Sequence, residues 1–437
     1  MKFVSTRGTV AGATLSRALA DGLAGDGGLY VPERVPQLSL DDCPHAETLA
    51  SVARHLLRPF VSGDALEPHL DAMCRRAFDF PAPLVPLNGA PGPASVLELF
   101  HGPTCAFKDF GARFLAAGLE RIHQGGRKLT ILVATSGDTG GAVAAAFHKV
   151  SWADIVLLYP KGLVSPRQAQ QLACWGENVR TFAVSGTFDD CQRMVKDAFR
   201  DPALAGTHLL SSANSINLGR LLPQMAYYAD ASLRIWRSDG RKPNFIIPTG
   251  NLGNAAACVL AREMGLPIGG IVLATNENRT IVEYLERGTW QPRPAVATLS
   301  SAMDVGSPSN MERLRWLFPD MEQLRRRITA YAVSDEETRS TIRADHRALG
   351  RIWCPHTATA AHVYRQVARH RAAEHWVIVA TAHPAKFSEI VEPLVGETIP
   401  VPPALDRLLQ LPRREQDLTP TLDALRREIQ AIPDRSA

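Results

Sequence analysis

Lys108 is the residue whose surroundings first suggest chemistry. It lies in the stretch His101–Leu115, HGPTCAFKDFGARFL, after a strand and between Phe107 and the pair Asp109–Phe110. An amine among aromatic side chains at a helix start is poorly solvated. Desolvation lowers its pKa and frees its lone pair for a Schiff base. By itself a lysine at a helix start is more often a surface residue. Three further passages could hold anions. Pro248–Ala257, PTGNLGNAAA, follows a strand and opens a helix, so its glycines let backbone N–H groups converge at the positive end of the helix, as a phosphate requires. It is neither a Walker A loop nor a dinucleotide fingerprint; alone, it is equally a tight turn with an Asn/Gly cap. Ala134–Phe147, ATSGDTGGAVAAAF, adds Ser136, Asp138 and Thr139 to such a turn and suits a carboxylate, or simply caps its helix. Ser211–Gln224 gathers Asn214, Ser215, Asn217 and Arg220. Arg220 offers a phosphate its paired donors, with a surface arginine beside capping asparagines as the plainer alternative. Each signal is modest. Together they describe one lysine-linked cofactor phosphate, one amino-acid carboxylate and one substrate phosphate.

The elements that must position these loops are readable as alternating strands and helices. Short apolar, β-branched runs occur at 96–100, 129–135, 155–159, 179–184, 245–247, 271–274 and 376–380, bounded by Gly, Pro, Ser or Asn. Most are continuous in apolar character, which predicts strands covered on both faces. Helical spacing at Phe110, Phe114, Leu115, Leu119 and Ile122, and through 142–147 and 255–264, lies between them. This alternation predicts parallel sheets built from βαβ units. The first ninety or so residues are Leu/Ala-rich and predicted to be helical, ending in the proline-rich stretch 81–93. The last thirty residues also read as mostly helical.

Composition narrows the function classes. With 48 basic and 44 acidic residues, the net charge of +4 gives no concentrated basic stripe, so nucleic acid and membrane surfaces are not expected partners. The Arg325–Arg327 cluster reads as a solvated helix face. The 7 cysteines form no C-x-x-C pair, which argues against a zinc site or a disulfide framework, and no metal is expected. No apolar run approaches the ~18 residues of a membrane span, and the opening MKFVSTRG is not a signal peptide. A cytoplasmic enzyme is the expectation. At 437 residues the chain should form two or three domains.

With these blocks assembled, the sequence resembles the threonine synthase family, in the tryptophan-synthase-β-like group of pyridoxal-phosphate enzymes. The resemblance is carried by FKDFGARF around Lys108, TSGDTGG at 135–141, NSINLGR at 214–220 and PTGNLGN at 248–254. STRG at 5–8, SAMDVGSPSN at 301–310, PHTA at 355–358 and TAHPAKF at 381–387 extend it over nearly the whole chain. It implies a fold-type-II α/β enzyme with two parallel-sheet domains and a mainly helical N-terminal domain. The expected division is 1–94 helical, 95–128 with 236–437 the larger α/β domain, and 129–235 the smaller. Lys108 would form the Schiff base with pyridoxal 5'-phosphate and move protons afterwards. Gly250, Asn251, Leu252, Gly253 and Asn254 would hold the cofactor phosphate, and Asp138 would lie by the ring hydroxyl. Thr381 would face the pyridine nitrogen, where a hydroxyl does not keep the ring protonated as an Asp would. Ser136 and Thr139 would lie near the substrate carboxylate; Asn214, Ser215 and Arg220 would bind the substrate phosphate.

The implied reaction converts O-phospho-L-homoserine and water to L-threonine and phosphate, in a monomer or homodimer. A phospho-lyase that releases phosphate, ammonia and a 2-oxo acid shares the same motifs and stays open. A serine or threonine dehydratase fits less well, because an unphosphorylated substrate needs no Arg220 site. A non-catalytic metabolite-binding protein is disfavoured by the intact Lys108 and its cradles.

Overall fold

The computed structural model describes residues 1–432 except 9–11, 42, 44–47 and 124; the last five residues, part of the polar tail expected to be helical, lie outside them. Two sheets carry the molecule. The six-stranded sheet runs in the order Ile328–Ala332, Ile271–Thr275, Asn244–Pro248, Trp376–Ala380, Ala94–Glu98, Leu84–Pro86. All its pairings are parallel except the last. The five-stranded sheet runs Gln416–Leu418, Val179–Val184, Ala153–Pro160, Leu129–Ala134, Leu209–Ser212, and is parallel throughout. The inner strands Asn244–Pro248, Ile271–Thr275 and Trp376–Ala380 are buried along their whole length, as βαβ packing on both faces demands.

The strands that the sequence did not reveal are edge or short ones. Ile328–Ala332 alternates buried and exposed positions, so it shows no continuous apolar run. Gln416–Leu418 is three residues long and mostly exposed. Its pairing with Val179–Val184 attaches part of the C-terminal segment to the five-stranded sheet, whereas the sequence grouped all of 236–437 with the larger one. Leu84–Pro86, expected in the helical N-terminal part, is the antiparallel edge of the six-stranded sheet. That part also holds a two-stranded antiparallel ribbon, Phe3–Ser5 with Tyr30–Pro32.

The helices of the first eighty residues support the helix that begins at Lys108. Leu49–Val61 starts at Thr48, whose side chain accepts from Ser51 N, and buries Leu49, Val52, Ala53, Leu56, Leu57, Phe60 and Val61 on one face. It packs on Leu70–Ala77, which packs in turn on Lys108–Ile122. In the latter helix Phe110 is fully buried, with the rings of Phe78, Phe80 and Tyr227 at 5.5, 4.4 and 5.4 Å. Its burial alone contributes roughly 1.5–3 kcal/mol. Gly111 brings the backbone of this helix against Arg220: a Cβ there would stand 2.5 Å from the Arg220 carbonyl oxygen. The absent side chain thus fixes the spacing between the lysine and the arginine that the sequence singled out.

Candidate active site

The loops between the two sheets line a partly open cavity. Lys108, Ser136, Asp138, Thr139, Asn214, Ser215, Arg220, Gly250, Asn251, Leu252, Gly253, Asn254 and Thr381 all line it. Asn217 does not. It is buried, bonding Gly219 N, Leu19 O and Ser212 O, and so caps its helix.

Lys108 is the first residue of its helix, presented by a loop stitched to the strand end at Thr381. Phe107 N donates to Thr381 O at 2.9 Å, and His383 N donates to Cys105 O at 3.0 Å. Cys105 takes a left-handed conformation, φ 54°, to make the turn. Burial pulls the Lys108 ammonium down to about 8; Asp138 opposes this and Arg220 and Lys386 reinforce it. Next to it, Asp109 is buried and accepts from Thr104 N at 2.8 Å and Thr104 Oγ1 at 2.6 Å. Burial outweighs those bonds and lifts its carboxyl to about 6.

The turn at 134–141 was expected either to cap its helix with Ser136 or Asp138 or to leave them for a ligand. Gly137 occupies the cap position, without a side-chain bond. Thr135 makes the turn's bonds, its Oγ1 accepting from Gly137 N at 3.1 Å and Gly140 N at 2.9 Å. Ser136 and Thr139 line the cavity, and Asp138 pairs with Lys386 at 2.7 Å. Burial opposes the charge of Asp138, but Lys386 and Lys108 prevail and hold the carboxyl below its usual range.

The turn at 248–254 is tied at both ends by Asn254. Its Nδ2 donates to Pro248 O at 3.0 Å, and its Oδ1 accepts from Thr249 Oγ1 at 2.8 Å and Ala255 N at 2.9 Å. Leu252 adopts φ 62°, the left-handed conformation that turns the chain into the helix Gly253–Glu263. The first N–H groups of that helix have no intrahelical acceptors and point toward the turn. Asn251 Nδ2 donates to Ser215 Oγ at 2.6 Å, which locks this turn to the 214–220 loop. In that loop Arg220 is buried and spends one bond, Nη1 to Ala213 O at 2.6 Å. Its Nε and the neighbouring Asn214 Oδ1 are buried without a hydrogen-bond partner. Among the described residues Arg220 makes no ion pair. Burial lowers its guanidinium to about 10, still charged at neutral pH, with Asp109 opposing.

Sequence reasoning missed several residues that complete the site. His356 lines the cavity, accepts from Ala302 N through Nε2 at 3.1 Å, and leaves Nδ1 buried without a partner. Burial drops it to about 4, so the ring is neutral. Asn310 donates to Asn251 O at 2.9 Å and to Ser215 O at 3.4 Å. Arg313 Nε donates to Tyr30 O at 3.0 Å, and its Nη2 donates to Ile216 O, fastening the N-terminal ribbon to the 214–220 loop. His356 and Asn310 fall in PHTA and SAMDVGSPSN, blocks that extend the family resemblance, but nothing in those blocks alone indicates which side chain turns inward.

Comparison with known proteins bears on this arrangement. The profile of the pyridoxal-phosphate dependent enzyme family matches residues 78–382, that of the threonine synthase N terminus residues 2–78, and that of the threonine synthase C-terminal region residues 357–429. The chain is 42% identical over 399 residues to threonine synthase of Haemophilus influenzae, covering 91% of this chain and 92% of that one. The crystal structure of threonine synthase from Escherichia coli superposes with a TM-score of 0.91 at 37% identity, over 98% of this chain and 99% of that chain. That of pyridoxal-phosphate-bound threonine synthase from Brucella melitensis gives 0.89 at 35% identity, over 98% and 99%.

Proposed function

This chain belongs to the threonine synthase family of pyridoxal-phosphate enzymes, and from that premise we propose that it converts O-phospho-L-homoserine and water to L-threonine and phosphate. The observation that carries the reading is the company of Lys108 and Arg220 in one cavity. A desolvated amine that makes no ion pair among the described residues shares the space with a buried guanidinium whose Nε has no partner among them, beside an open helix N-terminus. Two anion sites and one amine match the phosphorylated cofactor and the phosphorylated amino acid.

The residues fit pyridoxal phosphate. The turn 250–254 would hold its phosphate, Thr381 would face its ring nitrogen and Lys108 would make the covalent link. When bound, the group supplies an aldehyde that captures the substrate's amino group and a ring that withdraws electrons from the neighbouring carbons. Lys108 Nζ, once released, would take the proton from the substrate α-carbon, a role its lowered proton affinity suits. Ser136, Thr139 and the start of helix Asp138–Phe147 would receive the substrate carboxylate. Arg220, with Asn214 and Ser215, would hold the substrate phosphate and stabilise the charge that leaves with it. His356, neutral, offers Nδ1–H as a donor inside the cavity. Buried cysteines, none of them in a disulfide among the described residues, accord with action in the cytoplasm on a small substrate.

The test is turnover of O-phospho-L-homoserine with phosphate release followed and the organic product identified. Threonine formed in step with phosphate is the expected result; a 2-oxo acid and ammonia without threonine would replace the synthase with the phospho-lyase. The cofactor cradle has its own test in Gly250→Ala. A Cβ at 250 would stand 2.7 Å from Met303 Cα and 2.9 Å from Met303 O, both backbone atoms that cannot swing away. Overpacking of this kind costs about 1–3 kcal/mol, so cofactor affinity, measured by equilibrium dialysis, is expected to fall roughly ten- to a hundredfold.

A further inference from the structure

One buried charge beside the site has no part in the chemistry so far. Lys386, in the 381–387 segment that extends from the six-stranded sheet, is fully buried. Its ammonium donates to Thr104 O at 2.7 Å and pairs with Asp138 Oδ1 at 2.7 Å. Asp138 opens a helix of the five-stranded side, so the pair spans the seam between the two sheets. Backbone contacts reinforce the seam: Ser165 Oγ donates to Lys386 O at 2.8 Å and Arg167 Nη1 donates to Ala385 O. The titratable groups within electrostatic reach of Lys386 are Asp138, Lys108, Asp109, Cys105, His356 and His383.

We propose that Lys386 is a positioning residue for Lys108: it takes Asp138 as its counter-ion and so keeps that carboxylate from pairing with Lys108, leaving the Lys108 amine available to the cofactor. The proposal builds on the reading of Lys108 as the cofactor-linked lysine. Two ammonium groups and one carboxylate meet in this corner of the interior. Asp138 Oδ1 is already committed, accepting from Lys386 and, at 2.9 Å, from Gln168 Nε2. Without Lys386 the carboxylate would stay buried with no cation against it, a costly state that the charge of Lys108 can relieve. A carboxylate paired with Lys108 favours its protonated form, and a protonated amine cannot add to an aldehyde. The same pairing explains why Lys386, though more deeply buried than Lys108, is not the nucleophile: its charge is satisfied where it stands.

The experiment mixes cofactor-free protein with pyridoxal phosphate and follows the visible absorbance of the adduct from pH 6 to pH 10. The neutral Lys108 Nζ adds to the aldehyde carbon and one water leaves, so the rate reports the neutral fraction of that amine. In the parent protein the rate rises through a midpoint near 8. Lys386→Met is expected to move the midpoint up by about one pH unit and to slow capture at pH 7 about tenfold. Lys386→Gln, which can keep the bond to Thr104 O, should do the same, whereas Lys386→Arg keeps the charge and the parent midpoint. Asp138→Asn added to Lys386→Met should bring the midpoint back. An unchanged midpoint in either neutral variant, with a native circular dichroism spectrum, would overturn the proposal. Failure of the underlying reading looks different: Lys108→Ala would then form the same coloured adduct as the parent.

Discussion

Lys108→Ala is expected to give a folded protein that shows no covalent-adduct absorbance band when saturated with pyridoxal phosphate and whose turnover is lower by roughly 10⁴-fold or more. The fold should survive because the helix does not depend on this side chain. Its anchors are Phe110, Phe114, Leu115 and Leu119, all buried, and Gly111 against Arg220. Lys108 itself is a desolvated cation that makes no ion pair among the described residues, so removing it relieves a cost, and the melting temperature should equal or exceed that of the parent. The pH dependence in the parent follows from the same feature. Burial holds the amine at about 8, so below that pH the protonated form dominates and cofactor capture is slow. Capture speeds up as pH rises through 8 and then levels off. Absorbance spectroscopy and single-turnover assays read both effects. An adduct band in the Lys108→Ala protein would direct attention to Lys386, the fully buried lysine that pairs with Asp138 beside the site.

The parts of this site that could be read from sequence are those made by local chemistry. A glycine-rich turn between an apolar strand and a helix is visible within ten residues, and the turns at 134–141 and 248–254 are located this way, each with a plain capping turn as the alternative. Lys108 showed itself by its aromatic neighbours. The long buried strands showed themselves by continuous apolar character, and Val179–Val184 and Trp376–Ala380 were read with the bounds they have. What stayed hidden depends on residues far apart in the chain. The partner of Asp138 arrives from residue 386, and the bond between Asn251 and Ser215 joins two loops that are separately plausible and only jointly informative. His356 looks like any histidine at a helix start until the fold buries it against Ala302. Edge strands such as Gln416–Leu418 carry little apolar content because one side is open; the neighbouring strand selects them, not their own sequence.

Arg220 is where the substrate's second anion should be decided, and its replacement has the second large expected effect. The guanidinium is 2% exposed, donates through Nη1 to Ala213 O, and leaves Nε without a partner. A buried cation with unused donors and no ion pair among the described residues is costly unless an anion arrives to use it. In Arg220→Met the substrate phosphate would lose both a charge-assisted bond on binding and the stabilisation of charge as the phosphate departs. kcat/KM for O-phospho-L-homoserine should therefore fall about 10³-fold, through a higher KM and a lower kcat together. Arg220→Lys should recover little of the loss, since a single ammonium on a flexible stem cannot reproduce the planar fork. Cofactor binding should change less than threefold, because on the proposed reading the 250–254 turn would hold that phosphate by backbone groups on another element. This separation is the decisive feature. If Arg220→Met lost the cofactor while the residual holoenzyme kept its kcat/KM, the two phosphates would have to be exchanged between the sites, and the turn at 250–254 would become the substrate's. If instead cofactor affinity holds and kcat/KM collapses, the arginine reads the phosphate of the amino acid. That result would also exclude an unphosphorylated amino acid as the preferred substrate, since such a ligand makes no use of the buried charge.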